Sequence, residues 1–75
     1  MGIVRQQKGF IMTQLQAKRL MGQTIKVMYA DDPDIGIRYI TITCMDDDCE
    51  GVYYKLDGYN TTRLYKPLQD IVVLD

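Results

Sequence analysis

The spacing of apolar and polar positions changes at Gly22 from a helical pattern to strict alternation. Before it, Thr13 can cap a helix whose body, from Gln14 to Met21, consists of good helix formers. Gly22 then stands where a helix naturally ends. Because the apolar positions make one narrow stripe, we expect this helix to lie against the rest of the chain. The sequence therefore predicts one short helix over 13–21.

Beyond Gly22, five segments have the alternation and the β-branched or aromatic composition typical of strands. They run over 24–29, 38–44, 52–56, 59–65 and 71–74. Turn-forming residues separate them, including the Asp57-Gly58 pair, which is typical of a two-residue hairpin. Pro67 removes a backbone donor and ends the fourth strand, and one helical turn fits before the last strand. The predicted inward-facing residues are Ile25, Val27, Tyr29, Ile40, Ile42, Cys44, Val52, Tyr54 and Leu56.

Five short strands cannot cover a core as a flat sheet, so the sequence predicts that they curl into a small barrel. The expected fold is mainly β, a five-stranded antiparallel barrel with one short N-terminal helix, and it resembles an SH3-like barrel. We expect residues 1–11 to form a basic flexible arm and residues 12–75 a single domain that contains the helix.

In the C-terminal half, Val52-Tyr53-Tyr54 is followed by Gly58-Tyr59 and then by the run from Arg63 to Ile71. This order is similar to the end of WYL domains, which are SH3-like barrels of bacterial and phage regulators, and Ile25 to Tyr29 resembles the opening strand of that family. The namesake Trp position is Val52, and Pro67 is an insertion. The resemblance implies that Tyr54 and Arg63 contact a ligand or a nucleic acid.

Charge is strongly polarised along the chain. Residues 1–30 hold five Lys or Arg and no acid, whereas residues 31–75 hold four bases and ten acids, which gives +5 followed by 4 − 10 = −6. With 75 residues, 47% of them apolar, the chain has room for one folded domain. No apolar run approaches the roughly 20 residues of a membrane span, and no secretory signal is recognisable. We therefore expect a cytoplasmic protein that does not enter membranes.

Catalytic and metal chemistry find little support in the sequence. There is no His to act as a base near neutral pH, and no nucleophile or phosphate-binding motif is present. The carboxylates of Asp46, Asp47 and Asp48 are contiguous, so they should diverge rather than converge on a cation. Cys44 and Cys49 are interpreted as structural thiols, although a bridge across a hairpin is conceivable. We predict no enzyme activity, no cofactor and no metal site.

Outward-facing tyrosines suggest a protein-binding surface. By alternation Tyr39 and Tyr53 share the solvent side with Lys55, and Arg63 lies near. Tyr and Arg are enriched in binding hot spots. The acidic residues Asp46, Asp47 and Asp48 would provide a secondary contact. The favoured hypothesis is a non-catalytic protein-interaction or regulatory module, encoded by a phage or mobile element.

A nucleic-acid-binding accessory barrel, acting in transcription regulation, is the alternative. Its cations would be Arg5, Lys8, Lys18, Arg19 and Arg63. An isoelectric point near 5.2 opposes this interpretation. We instead expect the basic N-terminal segment to pack on the acidic barrel of its own or a neighbouring chain, which allows a homo-oligomer.

Overall fold

The computed structural model of the chain describes residues 9–58 and 63–74. One α-helix, α1 (Gln14–Leu20), accompanies six strands. The strands are β1 (Gly9–Ile11), β2 (Thr24–Tyr29), β3 (Arg38–Met45), β4 (Gly51–Leu56), β5 (Leu64–Pro67) and β6 (Ile71–Leu74). Two short 3₁₀ turns, Pro33–Ile35 and Leu68–Asp70, precede β3 and β6. The mainly β class and the helical turn before the last strand are as predicted.

All six strands form one antiparallel sheet in the order β1-β6-β2-β3-β4-β5. The prediction of five strands was therefore wrong by one, because Gly9–Ile11 pairs with β6 instead of belonging entirely to an arm. Three residues are too few to show the alternation by which a strand is recognised in a sequence. Gly9 lets β1 approach β6 closely, since a Cβ at this position would lie 2.7 Å from Val72 Cγ1. Residues 1–8, the rest of the predicted arm, lie outside the described residues.

Helix α1 begins where the sequence predicts. The Thr13 hydroxyl accepts a hydrogen bond from the Gln16 backbone N–H, and the Gln16 side chain accepts one from the Thr13 N–H, which makes a capping box. Ala17 is fully buried and Leu20 packs against the same core. The helix thus covers the inner face of the sheet with its narrow apolar stripe, as predicted.

A β-bulge at Thr43 corrects the prediction for Cys44. Ile42 pairs with Tyr54 but Cys44 pairs with Tyr53, so β3 has one extra residue at this point. The bulge turns Cys44 away from the core, onto the face that carries Tyr53. The alternation of β3 is therefore interrupted, and Met45 resumes the inward direction against the core.

The sheet curls around its core. Tyr29 on β2 and Tyr54 on β4, which are separated by β3, have ring centroids 6.2 Å apart across the interior. Lys66 on β5 contacts both Tyr29 and Asp31. Its Nζ lies 4.5 Å from the Tyr29 ring centroid and 3.0 Å from a carboxylate oxygen of Asp31. These contacts join strands that are not hydrogen-bonded neighbours. The core residues that alternation predicts on β2 and β4 are buried or packed against it.

Strand β5 differs from its prediction in register. Tyr54 pairs with Leu64, whereas a two-residue turn at 57–58 would pair Leu56 with the residue directly after Gly58. The connection between β4 and β5 is therefore longer than a two-residue hairpin, and residues 59–62 of the predicted strand lie outside the described residues. Strand β5 ends at Pro67, two residues beyond the predicted end at Tyr65, because Lys66 and Pro67 still pair with Val52 and Gly51.

The described helix of seven residues is too short to cross a membrane.

Candidate functional site

The outer face of the sheet carries the residues predicted to bind protein. Thr41 pairs with Lys55 in the centre of this face, and Cys44 pairs with Tyr53 at one end. Tyr39, paired with Lys26, lies at the opposite end and is 52% exposed. Arg63 precedes β5 on the same side. Tyr39, Tyr53, Lys55 and Arg63 therefore share one face, but Tyr53 and Arg63 are in contact while Tyr39 stands apart.

An aromatic cluster, here called the Tyr53 corner, comprises Tyr53, Tyr65, Arg63 and Cys44. The rings of Tyr53 and Tyr65, on paired residues of β4 and β5, are tilted by 56° to each other with centroids 5.1 Å apart. The Arg63 guanidinium lies over the Tyr53 ring, 4.9 Å from its centroid, and its Nη1 is 3.5 Å from Cys44 Sγ. These contacts hold a cation and two aromatic rings together at the surface.

Asp46 connects the Tyr53 corner to the β3–β4 tip, the loop of residues 46–50. Its Oδ1 accepts hydrogen bonds from the backbone N–H groups of Glu50 and Gly51, at 3.0 and 3.4 Å. Its Oδ2 accepts one from the Tyr65 hydroxyl at 2.6 Å. The carboxylate of Asp46 is thus engaged within the fold, so of the three acids predicted as a secondary contact only Asp47 and Asp48 remain fully outward.

The hydrogen bond between Tyr65 and Asp46 shifts the titration of both groups. Donation from the Tyr65 hydroxyl, helped by the backbone donors, lowers the pKa of Asp46 below its ordinary value. The same bond raises the pKa of Tyr65 to about 12. The pair therefore stays as phenol and carboxylate throughout the physiological range.

Gly51 makes this contact possible. A Cβ at position 51 would overlap the Tyr65 ring and hydroxyl, so the ring crosses β4 directly over the glycine. Gly51 is itself buried under this ring. A residue without a side chain on β4 therefore lets a tyrosine on β5 reach an aspartate at the end of β3.

A surface hollow of about 430 Å³ lies between the Tyr53 corner and the tip. It is lined by Tyr53 and Arg63, by the acids of the tip, Asp46, Asp47 and Asp48, and by Cys44 and Met45. Three carboxylates and one guanidinium give the hollow a net charge of 1 − 3 = −2. Such a hollow suits a ligand that combines an apolar part with positive charge.

The cations of the nucleic-acid alternative are not assembled into one surface among the described residues. Lys18 and Arg19 are exposed in the last turn of α1, which covers the inner face of the sheet. Arg63 projects from the outer face beside carboxylates. Arg5 and Lys8 lie outside the described residues.

Tyr54 and Arg63, the two contact residues implied by the resemblance to WYL domains, are on opposite faces. Tyr54 is 3% exposed and belongs to the core, so the structure does not bring it to a surface with Arg63. Tyr65 was missed as a site residue. The signal was present, because Arg63 and Tyr65 are two positions apart in an extended segment and therefore share a side.

The thiols of Cys44 and Cys49 are both unbridged and half-buried. Cys49 has a φ of 57°, the left-handed conformation that completes the turn begun at Asp46. Across residues 9–58 and 63–74, no group of three or more Cys, Asp or Glu residues is placed to hold a metal ion.

Comparisons with protein-family models, with curated proteins and with solved structures found no match to this chain.

Proposed function

We propose that this protein is a non-catalytic protein-interaction module that binds its partner through the Tyr53 corner and the adjoining hollow. The observation that carries the proposal is the surface cluster in which the Tyr65 ring contacts the Tyr53 ring and the Arg63 guanidinium lies over Tyr53. Tyr and Arg contribute most to binding when a rigid neighbourhood holds them, because little conformational entropy is then lost on association. The Asp46 hydrogen bond provides that rigidity.

A regulatory role in a phage or mobile element belongs to the same proposal, as does an SH3-like barrel. The strand order β6-β2-β3-β4-β5, with a 3₁₀ turn before the last strand, supports the SH3-like interpretation. The curvature that brings Lys66 to Asp31 supports a barrel.

Protein is favoured over nucleic acid as the partner because of the charges around the corner. Arg63 is accompanied in the hollow by Asp46, Asp47 and Asp48, whose carboxylates would repel phosphate groups. A protein segment can offer cations to these acids and apolar atoms to the tyrosine rings. Mixed charge around an aromatic centre therefore matches a protein ligand better.

The test is capture of partners from a bacterial lysate on the immobilised protein. Tyr53→Ala should remove a species that the wild-type protein retains, and Arg63→Glu should do the same. Tyr39→Ala is the matched control, since Tyr39 is an exposed tyrosine on the same face but outside the corner. Equal recovery by wild type and Tyr53→Ala would exclude the corner as the binding site for a protein of the lysate.

Nucleic acid is tested on the purified protein by fluorescence anisotropy with single- and double-stranded DNA and RNA at about 50 mM salt. We expect no binding. Micromolar binding that decreases steeply with added salt, and that is lost on Lys18→Ala with Arg19→Ala, would favour the nucleic-acid alternative.

A further inference from the structure

The outward side of α1 is an exposed surface that pairs an apolar residue with positive charge. Leu15, Lys18 and Arg19 are spaced i, i+3 and i+4, so they lie on one side of the helix. Leu15 is 60% exposed, more than any other large hydrophobic residue among those described. The opposite side of the helix, with Ala17 and Leu20, is packed against the core.

The cations of this helix side have no ion-pair partner in the part of the chain that the structure describes. There, the one ion pair within 4.0 Å joins Lys66 to Asp31. The exposed carboxylates of Asp47 and Asp48 at the tip likewise have no ion-pair partner among the described residues. The molecule thus presents a positive helix side and a negative hollow.

We infer that the hollow beside the Tyr53 corner receives the Leu15, Lys18 and Arg19 side of α1 from a second copy of this chain. The inference rests on the proposed function, since it names the partner of the same corner. Leu15 supplies the apolar part of the contact against the tyrosine rings. Lys18 and Arg19 supply charge opposite to that of Asp47 and Asp48.

Charge complementarity selects this occupant. The hollow carries a net charge of −2 and the helix side +2, and the residues that would meet, Leu15, Lys18 and Arg19 with Asp47 and Asp48, are exposed. Every copy carries both surfaces, so a two-fold dimer that places each helix in the hollow of the other copy makes the contact twice. One short helix side and one small hollow make a limited interface, so we expect micromolar self-association that weakens with salt.

Sedimentation velocity of the purified full chain tests this, from about 10 µM to about 1 mM protein. We expect a concentration-dependent dimer at about 50 mM NaCl that dissociates at about 500 mM NaCl. A sedimentation coefficient that stays monomeric over this whole range at low salt would overturn the inference.

Charge reversal with rescue gives the sharper result. The helix variant combines Lys18→Glu with Arg19→Glu, and the tip variant combines Asp47→Lys with Asp48→Lys. Each variant alone should associate at least about tenfold more weakly than wild type, because like charges then face each other. An equimolar mixture should recover dimers, because each reversed helix then meets a reversed tip.

Two controls complete the experiment. Circular dichroism melting of each variant shows whether the fold is retained, and Leu15→Ser tests the apolar part of the contact without altering charge. Dimers of either variant alone that are as strong as wild type, or a mixture that stays monomeric, would overturn the inference. If the chain is monomeric but Tyr53-dependent capture from lysate persists, the second copy is excluded as the partner and the proposed function stands. If neither self-association nor Tyr53-dependent capture is observed, both proposals fail.

Discussion

At the scale of single residues, Asp46 is the acceptor that organises the end of the β3–β4 hairpin. It accepts hydrogen bonds from two backbone groups of its own loop and from Tyr65, which is 19 positions away in sequence. In sequence it is the first of three identical aspartates, and nothing local distinguishes it from Asp47 or Asp48. The structure therefore separates one structural carboxylate from two that are free to contact a partner.

The Asp46–Tyr65 pair should make stability depend on pH at the acid end. Because the pKa of Asp46 in the folded protein is below its ordinary value of 3.8, its contribution to stability is fully present above that value and is lost as the pH falls below it. We expect Tyr65→Phe to move the pKa of Asp46 back toward 3.8. Carboxyl-carbon NMR titration measures this directly.

The titration of Tyr65 at alkaline pH gives a second, independent test of the hydrogen bond between Tyr65 and Asp46. The raised pKa of Tyr65, about 12, means that its contribution to stability is present below pH 10 and is lost as the pH rises through 12. In Asp46→Asn, one more tyrosine should titrate near pH 10 in ultraviolet absorbance than in wild type. An unchanged absorbance titration would contradict the hydrogen bond.

Gly51 is the second residue whose role depends on Tyr65. We expect Gly51→Ala to destabilise the fold by about 1–3 kcal/mol, since the new methyl group would overlap the tyrosine ring. Urea denaturation gives the free energy of unfolding. In a Tyr65→Ala background the same substitution should cost much less, and equal costs in the two backgrounds would rule out the overlap as the cause.

At the scale of elements, the helix and the strands differ in how far local sequence defines them. The limits of α1 depend on Thr13, Gln16 and Gly22, all within one short segment; the helix begins as predicted and ends at Leu20, one residue before the predicted end. Strands β2 and β4 likewise show the predicted inward residues. The course of β3 departs from its alternation at Thr43, because the bulge depends on how β4 pairs with it.

The capping box gives an element-scale prediction. Thr13→Ala removes the hydroxyl that accepts from the Gln16 N–H, and it should destabilise the protein by about 1 kcal/mol. Urea denaturation followed by circular dichroism measures the change. Thr13→Ser keeps the hydroxyl, so its free energy of unfolding should stay close to that of wild type. If Thr13→Ser destabilises the protein as much as Thr13→Ala does, the lost methyl group, rather than the lost cap, is responsible.

At the scale of the whole molecule, Lys66 links distant parts of the curled sheet. Its stem runs along the interior, its ammonium lies over Tyr29, and Asp31 binds it at the surface. The Lys66 side chain is 15% exposed and that of Asp31 45%. The hydrophobic stem should therefore contribute more than the ion pair, which water screens.

The contributions of the Lys66 stem and of the ion pair to stability are separated by three substitutions. We expect Lys66→Ala to cost about 1–2 kcal/mol, Lys66→Met to cost less because it keeps the stem, and Asp31→Asn to cost under about 1 kcal/mol. Urea denaturation measures all three. If Asp31→Asn proves as costly as Lys66→Ala, the ion pair holds the curvature instead.

The sequence by itself determined what depends on near neighbours: the capped helix, the alternating core positions of β2 and β4, the mainly β class and the separation of charge. Only the tertiary structure decided what depends on register between distant segments. Pairing with β6 made a strand of Gly9–Ile11, the bulge opposite Tyr53 turned Cys44 outward, and the glycine at position 51 let Tyr65 reach Asp46. The physical reason is that a strand's side chains acquire neighbours only when another strand is placed beside it, and no local pattern states which residues those will be.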